Sequence, residues 1–188
     1  MGLLIIDNYD SFVYNLVQLV EQAGFTDYLI RKNDNILSLD QSEIKKVLIS
    51  PGPGIASEAG DLLKFIKNYY QTKPMLGICL GYEAIAEVFG ASIMQLPAPM
   101  HGMRNKGLVI EDHYIFDGIP DSFIIGHYHS WILDKKKFPS SLKVNMRDEL
   151  GLPMALTHRK YDLTGLMFHP ESIMTEYGFE MIRNWLFH

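Results

Sequence analysis

The chain has 188 residues, of which 47% are hydrophobic, and it carries a formal net charge of -5 and a single cysteine. This length and apolar content predict one globular domain over residues 1–188, and the acidic balance excludes nucleic acid and membrane surfaces as general partners because phosphate binding needs a basic stripe. One cysteine excludes an internal disulfide, the first residues lack basic side chains and no apolar run reaches membrane length, so we expect a cytoplasmic protein with no membrane span.

The first half of the chain alternates short apolar runs with segments of helical periodicity. Leu3–Ile6 predicts a buried strand, and the apolar residues of 12–20 recur at helical spacing before Gly24. The same alternation predicts strands at Tyr28–Arg31, Val47–Ser50 and Met75–Cys79 and a helix over Leu62–Tyr69. This order indicates an α/β fold with a doubly wound, mostly parallel sheet, helices on both faces and functional groups at the C-terminal ends of the strands.

Beyond Gly90 the pattern changes to short apolar runs separated by Pro, Gly and Asp, which predicts a small antiparallel extension on one side of the sheet. Its candidate strands are residues 93–96, 108–110, 114–116 and 124–129. Asp134–Lys137 is a charge run typical of a solvated turn. Residues 154–157 and 163–168 return to strand character, and residues 179–186 suit a closing amphipathic helix.

The stretch Gly77-Ile78-Cys79-Leu80-Gly81 joins an apolar strand to a helix through Gly-x-Cys-x-Gly. Flanking glycines permit the strained turn of a nucleophile elbow, which side chains would block. A cysteine at a helix N-terminus is expected to favour thiolate over thiol. The alternative is that Cys79 is a small buried hydrophobic residue without chemistry. The glycines favour the nucleophile.

A cysteine nucleophile needs a base that a third group holds in position, and His169 is the best placed of seven histidines. It follows the apolar run 165–168, and Glu171 lies two residues further on. In an extended segment residues two apart face the same side, so the Glu171 carboxylate can orient the ring. The alternative is a strand-end histidine beside an unrelated glutamate.

The loop Ser50-Pro51-Gly52-Pro53-Gly54 follows the third predicted strand, at the same sheet edge as the elbow. Its glycines leave backbone N–H groups free to approach a ligand, as an oxyanion hole requires. The alternative is a plain turn between strand and helix.

Together these motifs resemble the class I (triad) glutamine amidotransferases, most closely the glutaminase subunits of anthranilate synthase and aminodeoxychorismate synthase. The match covers nearly the whole chain. It consists of the motifs Leu4-Ile5-Ile6-Asp7-Asn8-Tyr9-Asp10-Ser11-Phe12, Ser50-Pro51-Gly52-Pro53-Gly54, Ser57-Glu58-Ala59-Gly60, Leu76-Gly77-Ile78-Cys79-Leu80-Gly81, Met100-His101-Gly102, Tyr128-His129-Ser130 and Phe168-His169-Pro170-Glu171-Ser172-Ile173.

The resemblance implies that Cys79 attacks the side-chain amide of L-glutamine, that His169 shuttles protons and that Glu171 orients His169. It implies oxyanion donors in the 52–54 loop and at Leu80, no metal and no cofactor. Ammonia would pass to a separate, larger chorismate-binding synthase subunit, because nothing in this chain resembles a chorismate site. The implied glutamine contacts are Gly52, Pro53, Gly54, Leu80, Glu83, Ser130 and Trp131.

Four positions depart from the family pattern: Tyr82 and Glu83 replace the usual His-Gln, Trp131 the usual Leu and Met103 the usual Lys. An ionised Glu83, one helical turn from Cys79, would oppose thiolate formation and repel the substrate carboxylate, with an effect on the order of 1 to 4 kcal/mol. It could instead bind the substrate ammonium or stay protonated. We hypothesise weak glutaminase activity. The rival interpretations are a glutaminase subunit serving another acceptor and a weakly active regulatory or scaffold subunit.

Overall fold

A computed structural model describes residues 2–134 and 137–188, so Lys135 and Lys136 of the predicted turn lie outside the described residues. The first half forms β1 Leu3–Asp7, α1 Val13–Gln22, β2 Tyr28–Lys32, β3 Lys46–Ile49, α2 Leu62–Tyr69, β4 Met75–Ile78 and α3 Leu80–Val88. The second half forms β5 Ile93–Val109, β6 Ser122–Leu133, β7 Leu142–Asp148, β8 Pro153–His158, β9 Leu163–Leu166 and α4 Gly178–Phe187.

The described strands form one nine-stranded sheet in the order β2-β1-β3-β4-β9-β8-β7-β5-β6. The ladders from β2 to β9 are parallel, and those from β9 to β6 are antiparallel. The predicted α/β fold class is therefore confirmed. The antiparallel part is larger than the small extension that the sequence predicted, because each half of the sheet contributes four ladders.

The helices pack in two groups, α1 with α4 and α2 with α3. The crossover through α1 runs from β1 to β2, and the crossover through α2 runs in the opposite direction along the sheet, from β3 to β4. Right-handed connections in opposite directions place these helices on opposite faces. Both faces of the central strands are thus covered, and Leu3–Ile6 is fully buried as its unbroken apolar run predicts.

Three details of the second half differ from the sequence expectation. Residues 114–116, predicted as a strand, form a turn of 3-10 helix, so that prediction was wrong. The runs 93–96 and 108–110 fall on one strand, β5, which ends at Val109 and whose middle carries polar residues. Strand β7 had no counterpart among the predictions. Within the part of the chain that the structure describes, no helix combines the length and apolarity needed to span a membrane.

Candidate active site

Cys79 lies at a sharp turn between β4 and α3, with φ of 51° and ψ of -100°. A Cβ added at Gly77 would come within 2.4 Å of the Gly81 carbonyl, and one at Gly81 within 2.9 Å of the Ile49 oxygen. The two glycines are therefore required by the close approach of strand and helix. The Cys79 N–H donates to the Leu166 carbonyl at 2.8 Å, which fixes the turn against β9. The predicted elbow is present.

His169 and Glu171 contact each other through Nδ1 and Oε1 at 2.6 Å, and both side chains are buried. The opposite ring nitrogen, Nε2, is buried and has no hydrogen-bond partner within the described residues. The ring packs edge-on against Phe12 and Tyr128, with centroids 6.0 Å and 5.0 Å away. Glu171 and the two aromatic rings thus hold the imidazole while Nε2 stays available for chemistry.

The electrostatics of Cys79 and His169 are coupled. Burial raises the pKa of the Cys79 thiol, although the nearby His169 opposes the increase. Burial acts to lower the pKa of His169, but the nearby Cys79 and the hydrogen-bonded Glu171 outweigh it and raise that pKa to about 10. The expectation that the helix N-terminus favours the thiolate is therefore not met without substrate, because the cost of burying a charged sulfur is the larger effect.

A cavity of about 430 Å³ opens beside Cys79. All predicted glutamine contacts line it, together with Cys79 and His169, while Glu171 lies behind His169. Met103 is outside the lining and half exposed. The cavity also has lining residues to which the sequence assigned no role, although they belong to or adjoin the motifs quoted above: Asp10, Phe12, Pro51, His101, Tyr128 and His129.

The Gly52–Gly54 loop forms one edge of this cavity, and the opening motif of the chain holds it. The Asn8 N–H donates to the Ser50 hydroxyl at 2.9 Å, and the Asn8 side-chain amide donates to the Ser50 carbonyl at 2.7 Å. A Cβ at Gly52 would meet Asn8 and Leu80 at 2.6 Å. The N–H groups of Gly52, Gly54 and Leu80 make no hydrogen bond within the described residues, so they are free to bind an oxyanion.

Glu83 lies in the first turn of α3 and lines the cavity, and its side chain is nearly inaccessible, with 2% exposure of the residue. No hydrogen bond or ion pair to its carboxylate occurs within the described residues. Burial, with a smaller contribution from Glu87, raises the pKa of Glu83 to about 8. The carboxyl group is therefore mostly neutral at pH 7, and it then offers an O–H donor beside a carbonyl acceptor, where a glutamine amide has two N–H donors beside a carbonyl acceptor.

No group of three or more His, Cys, Asp or Glu side chains within residues 2–134 and 137–188 is arranged to hold a metal ion.

Residues 4–188 match the family model for glutamine amidotransferase class-I. The chain is 41% identical over 187 residues to anthranilate synthase component 2 of Pyropia yezoensis, covering 98% of both proteins. It is 38% identical to aminodeoxychorismate/anthranilate synthase component 2 of Bacillus subtilis, covering 98% of this chain and 95% of that protein. A crystal structure from Thermoplasma acidophilum, provisionally described as one subunit of a GMP synthase, superposes with a TM-score of 0.85 at 25% identity over 99% of this chain and 92% of that one.

Proposed function

Because the chain belongs to the class-I glutamine amidotransferase family, we propose that it is the glutaminase subunit of a chorismate-aminating synthase. The observation that carries this proposal is the arrangement of three side chains at the cavity. Glu171 bonds to Nδ1 of His169, and the opposite ring nitrogen, Nε2, is left without a hydrogen-bond partner within the described residues, beside Cys79. A nucleophile, a base and an orienting acid in this order suit acyl transfer from an amide.

In the reaction we propose, the Cys79 thiol gives its proton to His169 Nε2 while Sγ attacks the side-chain amide carbon of glutamine and forms a C–S bond. His169 Nε2 then gives this proton to the amide nitrogen, the C–N bond breaks and ammonia leaves a glutamyl thioester. Water attacks the thioester while His169 accepts its proton, the C–S bond breaks, glutamate departs and the proton returns to Cys79 Sγ. Glu171 bonded to Nδ1 stabilises the imidazolium that forms in both halves.

The oxyanion of each tetrahedral intermediate would bind the free N–H groups of the 52–54 loop and of Leu80. Their lack of other partners and their position on the cavity support this role. Glu83, Ser130 and Trp131 would complete the glutamine site, since they line the same cavity.

The state of Glu83 bears on how active this protein is. With its pKa raised to about 8, the carboxyl group is mostly protonated at pH 7. This supports the alternative in which Glu83 stays protonated over those in which it is ionised or binds the substrate ammonium. A protonated Glu83 neither repels the substrate carboxylate nor opposes the thiolate. We therefore place the loss of activity caused by Glu83 at pH 8 and above, where it ionises.

The ammonia would pass to a larger subunit that binds chorismate. Two relatives that match almost end to end are named as second components of anthranilate or aminodeoxychorismate synthases, which supports this partner. The names of these relatives include both anthranilate synthase and aminodeoxychorismate synthase. The partner subunit would therefore determine which of the two products forms.

The test combines glutamine turnover with co-purification. The chain should release glutamate and ammonia in equal amounts, and adding a chorismate-using synthase subunit that co-purifies with it should accelerate the release and yield an aminated product. Co-purification with a protein using another acceptor would support the first rival. Partner binding with no glutamate release in either state would support the scaffold interpretation and contradict the proposal.

A further inference from the structure

A continuous line of polar side chains runs through the antiparallel half of the sheet to the cavity wall. Asn105 Nδ2 donates to Asp148 Oδ2 at 3.0 Å, and Asn105 Oδ1 lies 2.6 Å from His127 Nε2. His127 Nδ1 lies 3.0 Å from His129 Nε2, and His129 Nδ1 lies 3.0 Å from the Trp131 carbonyl oxygen. We call these four side chains, Asp148, Asn105, His127 and His129, the polar relay.

The relay follows from strand geometry. His127 and His129 are two residues apart in β6 and share a face of the sheet. Asn105 pairs with Ile125, which places it diagonal to His127, and Asp148 pairs with Gly107, two residues beyond Asn105. Diagonal neighbours on one face are within reach of long side chains. The relay thus connects three strands in a region where both histidines are buried.

The hydrogen-bond donors of the relay can be counted. The Trp131 carbonyl only accepts, so His129 Nδ1 must donate. Asp148 accepts from Asn105 and also from the N–H groups of Leu150 and Leu152, so its carboxylate fixes the Asn105 amide with Nδ2 toward itself and Oδ1 toward His127. His127 Nε2 must then donate as well.

The contact between the two imidazoles needs a further proton, on His127 Nδ1 or on His129 Nε2. The four ring nitrogens therefore carry three protons, whereas two neutral imidazoles carry two. With only two, a lone pair would face the other lone pair at 3.0 Å, the Asn105 oxygen at 2.6 Å or the Trp131 carbonyl oxygen at 3.0 Å.

Burial opposes this extra proton, because it lowers the pKa of both His127 and His129 to about 4, and His169 acts in the same direction on each. Asp148 acts in the opposite direction on His129. The carboxylate at the end of the relay offsets part of the cost of the buried charge, and the extra proton also avoids a buried contact between two acceptors.

We propose that His127 and His129 together hold one proton more than two neutral imidazoles, and that this charged pair positions the Ser130–Trp131 segment of the cavity wall. His129 precedes Ser130 directly and holds the Trp131 carbonyl, so its ring position fixes that segment. His127 and Asn105 are positioning residues, since neither lines the cavity. The second half of this inference rests on the proposed function, because that segment is taken to contact glutamine.

The first test is nitrogen NMR of histidine rings in 15N-labelled protein at pH 7, with resonances assigned by His127→Gln and His129→Gln. Three protonated nitrogens of four are expected in the wild type, and His158→Gln, the matched control outside the relay, should leave that number unchanged. Two protonated nitrogens in the wild type would overturn the proposal. In Asn105→Leu, where the acceptor of His127 Nε2 is gone, the number should fall to two.

The second test is the kinetics of Asn105→Leu. We expect KM for glutamine to rise about 5- to 20-fold while kcat changes less than about 3-fold, because the chemistry at Cys79 is untouched. An unchanged KM would overturn the positioning role. If the wild type hydrolyses no glutamine, the proposed function fails but the proton count stands. The emission of Trp131, obtained by subtraction of Trp131→Phe protein, then decides: a shift to longer wavelength in Asn105→Leu is expected, and an unchanged emission contradicts the role.

Discussion

Two regions next to the cavity each bury one carboxylic acid, and the two acids differ in their contacts. In the loop after β9, Glu171 bonds to His169 at 2.6 Å. In the first turn of α3, Glu83 has no partner within the described residues, and its pKa is raised to about 8. The adjacent imidazole allows Glu171 to orient a base. Burial, with no such partner within the described residues, keeps Glu83 mostly neutral at pH 7.

The largest expected effect comes from a substitution in the first of these regions, the loop after β9. Glu171→Gln keeps a group of similar shape but removes the charge that stabilises the His169 imidazolium, so kcat for glutamine should fall about 10²- to 10⁴-fold. Glu180→Gln, on the exposed face of α4, is the matched control and should retain wild-type turnover. A decrease of less than about 3-fold in Glu171→Gln would show that the carboxylate has no catalytic role.

The next effect concerns stability. Between pH 4.5 and 8 the folded protein holds a proton on Glu83 that the unfolded chain has released, so the free energy of unfolding falls as pH rises through this window. Glu83→Gln removes this loss and should be more stable than wild type by about 3 kcal/mol at pH 7, with a much smaller difference at pH 5.

Urea unfolding of the wild type and of Glu83→Gln at pH 5 and pH 7 measures the difference in their free energies of unfolding. Because the other titrating groups are common to both proteins, their contributions cancel in this difference. Glu180→Gln should follow the wild type at both values. If the stabilisation caused by Glu83→Gln were equal at pH 5 and pH 7, ionisation of Glu83 would not be its origin.

A smaller effect sharpens the contrast in activity. The ratio of kcat/KM in Glu83→Gln to that in the wild type should be near one at pH 7 and should rise through pH 8 to about 10-fold, because only the wild type gains a charge near the thiol and the substrate. Taking this ratio cancels the titration of Cys79 and His169. A variant with unchanged or lower activity across the range would count against an inhibitory Glu83.

The smallest effect involves Glu87, which raises the pKa of Glu83 as the second cause after burial. Glu87→Gln should shift the pH midpoint of the wild-type decline downward by less than about 1 unit, since the larger contribution from burial remains. To measure this shift, kcat/KM of Glu83→Gln is divided by kcat/KM of Glu87→Gln at each pH, and the pH midpoint of that ratio is compared with the midpoint obtained with the wild type. An upward shift would contradict the electrostatic account.

Much of the parallel half could be predicted, because its strands are unbroken apolar runs and its helices have clear periodicity. The elbow at Cys79 and the pair His169 and Glu171 were also predicted, since each depends on neighbours in sequence. The antiparallel half was harder. Short apolar runs do not distinguish a strand from the 3-10 turn at residues 114–116, and polar residues concealed the middle of β5.

The site features that sequence reasoning missed depend on tertiary contacts. The pKa of Cys79 was expected to fall at the helix N-terminus, but it rises because the fold buries the sulfur, and burial is not visible in the local sequence. The contact between Asn105 and His127 depends on the register of β5 against β6, which shifts twice along the pair. Apolar periodicity does not show such shifts, although one of them falls at Gly102, which has a positive φ of 66°.

Reaction of the protein with an electrophilic glutamine analogue, followed by mass spectrometry of the peptides, tests the central claim most directly. We expect one adduct per chain, on Cys79, formed faster with the synthase partner, prevented by excess glutamine and slowed in Glu171→Gln. Absence of the adduct with the partner present, or labelling of Cys79 that glutamine does not prevent, would contradict the assignment of Cys79 as the nucleophile of a glutamine site.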